Sequence, residues 1–251
     1  MTHIAVFADP PRPGLAFPEL AESSPLSESE AADLYAATLK DTFVAVRRSG
    51  GDLLVNYRPD DLLADEFVGD ESAEAEVRAL AADALDSTEE VRFEVQVGSS
   101  FSARAGNTVT HLLGEEGVSS VAVVPGTAPF LTRQEIDSAA MKIRRNAVVL
   151  GPSERGRVYF AGFADTIDFE DAYATPEIET LARRATDAGH EVGFLSAKTC
   201  IGTVEDLCSL VSLVNARTEA GRVVPEHTAT LFDEWGLRVE EGADGPELTR
   251  E

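Results

Sequence analysis

VAVVPGTAPFL, residues 121–131, decides how the rest of the chain is read. Val121, Ala122, Val123 and Val124 form a short apolar run closed by Pro125-Gly126-Thr127, which reads as a buried strand ending in a tight turn. A strand that is apolar on both faces belongs inside a sheet covered by helices on both sides. In open sheets of that kind, ligands sit beyond the carboxyl ends of the strands. Chemistry is therefore sought at Gly126, Thr127 and Ala128, and none of these can act as acid, base or metal-binding carboxylate.

Outward from this strand, short apolar runs alternate with amphipathic helical patterns, as in a largely parallel, helix-covered sheet. Strands are expected at 4–7, 53–57, 91–97, 118–124, 147–150, 158–163 and 192–195. Helices are expected from Ser27 with Glu30 in the capping-box position, over 72–85, over 102–113, and from Thr132 with Glu135 three residues on. Another should open at Thr175 with Pro176 as its first helical residue and close at Gly189, and another at Thr203. A last helix is expected over 224–235. No repeat or linker divides the chain. Residues 1–240 should form one three-layer α/β/α domain around a mixed, mostly parallel sheet of about seven strands, with 241–251 a disordered acidic tail.

The 251 residues carry 45 Asp+Glu against 21 Lys+Arg, a net charge of −24, and only three of the basic residues are lysines. The acids are spread over helices and connections, as a solvated coat rather than a tail. Such a surface suits a cytoplasm at very high salt, where screening removes much of the self-repulsion. No basic stripe invites nucleic acid or an anionic membrane surface. No apolar run reaches the ~18 residues of a membrane span, and no signal-peptide pattern opens the chain. Cys200 and Cys208 are too few for a disulfide framework and stand in no zinc-type cluster. A cytoplasmic protein is expected, with self-association left open.

Five stretches carry a resemblance when taken in order: FADPPRPG (7–14), residues 96–107, VVPGTAPFLT (123–132), VVLGPSERGRVYFAGF (148–163) and ATPEIETLARRATDAG (174–189). Together they resemble the radical-SAM/selenodomain-associated transferase family, over about residues 3–214. That family has the nucleotide-diphospho-sugar transferase fold, the GT-A type of glycosyltransferase. The resemblance implies a phosphate-binding first loop with basic side chains. Here Phe7, Ala8, Pro11, Pro13, Gly14 and Leu20 are kept, but the basic positions hold Asp9, Phe17 and Glu19, which leaves Arg12 as the loop's cation. It also implies metal-binding acids. Those positions fall on Ser100, Thr127, Arg155, Cys200 and Gly202, although Gly98, Arg104 and Asn107 survive. Magnesium and manganese want carboxylate oxygens. The scaffold is kept and the acids are not.

The expectation is thus a transferase-like protein without a metal site, catalytic residues or cofactor. It would be a pseudoenzyme that binds a small anionic ligand, a nucleotide sugar or a partner. Ala8, Gly14, Gly98, Arg104, Asn107, Gly126, Thr127, Arg155 and Arg157 would line the site. Arg155 and Arg157 would offer two forked guanidinium groups to an anion where relatives use a metal ion. Two alternatives stay open: an active glycosyl- or nucleotidyltransferase working without the usual metal, and an assembly subunit whose cleft is plugged by Phe17, Phe101 and Phe130.

Overall fold

The computed structural model describes residues 2–243 and 245–250. Seven strands form one sheet: β1 (His3–Ala8), β2 (Asp52–Tyr57), β3 (Arg92–Val95), β4 (Val121–Val124), β5 (Val148–Pro152), β6 (Val158–Phe163) and β7 (Val192–Phe194). Their order is β3-β2-β1-β4-β6-β5-β7, and β6 alone runs antiparallel to its neighbours. The single α/β domain with a mixed, mostly parallel sheet is therefore as expected. Six strands end at the same edge, so the connections after β1, β2, β3, β4, β5 and β7 gather there.

Alternation along β1 shows why the sheet needs helices on both sides. Ile4, Val6 and Ala8 pack into one core with Leu39, Phe43 and Ile136. Ala5 and Phe7 pack into the other with Ala105, Val109 and Leu181. The first layer comes from α2 (Glu28–Arg47), α3 (Ala73–Ala84) and α5 (Arg133–Ile143), and the second from α4 (Phe101–Thr110) and α6 (Glu177–Asp187), while α1 (Pro18–Ser23) buries Leu20 outside α2. Outside α2, a third core joins α7 (Val204–Glu219), α8 (Glu226–Glu234) and a hairpin of β8 (Leu237–Gly242) and β9 (Gly245–Arg250).

The expected caps at Ser27–Glu30 and Thr132–Glu135 form as reciprocal boxes, and Thr203 forms one with Asp206. Three details differ from expectation. α6 begins at Glu177 with Pro176 as its N-cap, and Thr175 does not cap it; the Glu177 carboxylate accepts from Val158 N–H at 2.9 Å. α1 was not foreseen. The tail is no loose end. Through residue 250 it is the β8–β9 hairpin, fixed by Leu248, 5% exposed against α7, and by Arg250, which pairs with Glu30 at 2.6 Å. Its acids face outward while two buried leucines, Leu237 and Leu248, anchor it, a pattern too sparse to announce a strand.

Candidate ligand-binding cleft

The cleft at the carboxyl edge has two halves. In the first, the connection after β1 turns on Gly14, whose φ of +76° favours glycine. Arg12 faces away from the cleft. Its guanidinium donates to Asp60 at 2.8 Å and Glu76 at 3.0 Å, and to the carbonyls of Phe67 and Glu71. With two carboxylates and two carbonyls it is 8% exposed and serves to pin residues 60–76. It is not available to a phosphate.

Asp9 stands at the mouth instead. Its N–H donates to Tyr35 Oη at 3.0 Å, and Tyr35 carries Phe17 edge-on at 5.3 Å. Arg58 follows β2 and brings Nη1 to 3.5 Å from the Asp9 carboxylate, while its other nitrogens hold Leu62 O. Its own N–H donates to Ala8 O at 2.9 Å, so the buried end of β1 fixes Arg58. Arg104 faces Asp9 from α4 without closing an ion pair, and its Nε is buried and unpartnered. Burial and the Arg58 charge depress the Arg104 pKa, with Asp9 opposing. Burial raises the Asp9 pKa against the pull of Arg58 and Arg104. Two guanidinium groups thus share one carboxylate, a local surplus of positive charge in a chain of net −24.

Gly98 lets this wall approach α4: a Cβ there would lie 2.9 Å from Ala103 Cβ and Arg104 N, at φ +134°. Asn107 donates to Val97 O at 2.7 Å and holds the same turn closed. Phe101 packs between Phe7 and Tyr173, at 5.3 and 4.8 Å between centroids.

The second half gathers the positions where the resemblance puts metal-binding acids. Thr127 O accepts from Ile201 N–H at 2.8 Å, and Ser153 Oγ accepts from Cys200 N–H at 3.1 Å. The connection after β7 is thereby laid across those after β4 and β5. Arg157 bridges them. It pairs with Asp206, 4% exposed, at 2.8 Å and donates to Cys200 O. Arg155 pairs with Glu205 at 3.0 Å. Both arginines thus neutralise the first turn of α7 and do not reach into the cleft for an anion. Cys200 is a buried thiol whose pKa burial pushes up, so it offers no thiolate to a metal. A Cβ added at Gly202 would collide with the Arg157 guanidinium. A side chain at 202 would have to displace the tip of Arg157 or pair with it, so the cation in that space belongs to the chain itself. The residues present do not fit a divalent ion, and no set of three His, Cys, Asp or Glu gathers to hold one among the described residues.

Gly126, at φ +69°, is required by packing: a Cβ would meet Leu39 Cδ2 at 2.5 Å. Phe130 lies outside the cleft, packed in the α7 core under Arg217. Sequence reasoning missed Arg58. Its only local signal is a basic residue closing β2, and the strand order is what sets it beside Asp9.

No protein-family model and no curated protein sequence matches the chain. Among solved structures, a provisionally assigned nucleotide-diphospho-sugar transferase from Desulfovibrio desulfuricans G20 superposes with a TM-score of 0.73 at 20% identity, covering 93% of this chain and 94% of that one. The fold is that of the nucleotide-diphospho-sugar transferases. A cytidylyltransferase from Leptospira borgpetersenii serovar Hardjo-bovis gives a TM-score of 0.53 at 10% identity, with 93% and 94% covered. At such identities the fold is what is shared, and chemistry is argued from this chain's own residues.

Proposed function

We propose that this chain is a nucleotide-diphospho-sugar transferase-like protein that works without a metal, as a non-catalytic binder of a small anionic ligand in the cytoplasm. The observation that carries the reading is the Arg157 guanidinium in the space a side chain at 202 would need, locked to the buried Asp206. A diphosphate needs a divalent ion or several cations, and the first loop offers Asp9 and Glu19 where the resemblance puts bases. The surplus charge at Arg58 and Arg104 suits a single carboxylate or monophosphate, drawn by the Arg104 guanidinium, whose Nε lacks an acceptor, and by the charge of Arg58, whose nitrogens already hold Leu62 O and Asp9.

Calorimetry in EDTA and molar KCl, against orthophosphate, small carboxylates, nucleotides and nucleotide sugars, tests this. Binding of a monoanionic or dianionic ligand should survive the chelator and weaken about tenfold or more in Arg104→Gln and Arg58→Gln. Arg155→Gln should leave it unchanged. A saturable Mn²⁺ site of micromolar affinity, or turnover of a nucleotide sugar, would overturn the reading.

A further inference from the structure

A second concave surface lies away from the cleft. It is a groove of about 1440 Å³ between α2, α5, α7 and α8, with the 220–225 connection on its rim. That volume exceeds the usual small-molecule site of roughly 300–1,000 Å³ and suits a loop of another protein. Its floor includes Phe130, beneath Arg217 at 5.4 Å. Two large apolar side chains in its lining stand in solvent, Met141 at 62% and Val223 at 80% exposed. Val223 does not hang on a loose loop, because Arg217 Nε donates to its carbonyl at 2.8 Å and fixes the turn from which it projects. Exposed apolar side chains gathered at one groove, rather than scattered singly, mark a contact surface.

The charge in the groove names the occupant. The chain as a whole is at −24, so two copies repel over most of their surfaces. In the groove, Arg48, Arg133, Arg217 and Arg222 stand against Asp41, Asp137, Glu226 and Asp233, and the balance is even. Asp41 is already satisfied by the N–H groups of His227 and Thr228 at the start of α8. Among the described residues, Arg48, Arg217 and Arg222 have no carboxylate partner within ion-pair distance. A neutral patch of both signs with apolar projections at its rim is what a two-fold self-contact requires, since each copy must present both knob and hole. We propose that the groove receives a second copy of this chain, with the Val223 turn of each protomer seated in the groove of the other.

Sedimentation in ~2 M KCl over roughly 1–200 µM protein tests this. The expected species at the upper end has twice the 26.8 kDa mass of the chain. Val223→Asp and Met141→Asp should each raise the dimer dissociation constant about tenfold or more. Both side chains are exposed, so the thermal midpoint of the dilute protomer should not move. A single 26.8 kDa species at every concentration overturns the proposal. So does a dimer indifferent to both substitutions, which would place the contact elsewhere.

Discussion

The two halves of the cleft use the same residue type to opposite ends. On the α7 side, Arg157 has a buried carboxylate of its own, Asp206, and a carbonyl, Cys200 O. On the β1–β2 side, Arg58 and Arg104 divide one half-buried carboxylate, and Arg104 leaves a buried N–H without an acceptor. The first arrangement is complete and serves the fold. The second leaves a buried N–H and a surplus of positive charge that a water or an added anion would satisfy. A guanidinium at the edge of a GT-A-like sheet is therefore no sign of a ligand site until its partners are counted.

The largest effect tests the ground on which both halves stand. Moving the protein from molar KCl to about 0.1 M should lower its melting midpoint by on the order of 10 °C, because 45 acids lose their screening together. Equal midpoints would assign the acidic coat a purpose other than tolerance of salt. Next, Asp206→Ala strands Arg157 and removes the cap that holds Thr203 N–H, and should cost about 3 kcal/mol in denaturant unfolding. A loss below ~1 kcal/mol would make the α7 half as open as the other.

Asp9→Asn should do the reverse. Burial raises the Asp9 pKa in the folded state, so the ionised carboxylate opposes folding. That penalty sets in as pH rises above the unfolded value of about 3.9 and is complete above the folded one. Asn should therefore leave stability within about 1 kcal/mol of the parent at pH 7 while tightening anion binding roughly tenfold, since Arg58 and Arg104 lose their shared counter-charge. Unchanged affinity would remove these arginines from the site. The smallest effect is at the tail. Arg250, with Ser27, holds the Glu30 carboxylate at about 2, so the tie is present above the unfolded value near 4.5 and fades as pH falls towards 2. Arg250→Ala should cost about 0.5–1 kcal/mol at pH 7 and clearly less at pH 2, where the Glu30 carboxylate is about half protonated, by chemical unfolding at both.

The sheet and the caps were legible because they are written locally. Four apolar residues before Pro125 make β4, and a Ser or Thr followed three residues on by a carboxylate opens α2, α5 and α7. What escaped was written across distance. Arg12 reads as the one cation left in the first loop, and only the fold sets it against Asp60 and Glu76. Arg155 and Arg157 read as free cations until α7 docks beside them. The β8–β9 hairpin is held by two buried leucines, Leu237 and Leu248, and by an ion pair 220 residues apart in sequence. The acid-free positions 127, 200 and 202 could be read from sequence, but the packing of the Arg157 guanidinium against Gly202 could not.

That contact governs which neighbouring sequences the chain can reach. An aspartate at 202 would push the Arg157 guanidinium aside and compete with Asp206 for it. Removing Arg157 first abandons Asp206 inside the protein without its counter-charge. Either order disturbs the Arg157–Asp206 pair, so an acid at 202 is coupled to what stands at 157. Any relative that does carry an acid at 202 should differ at 157 as well.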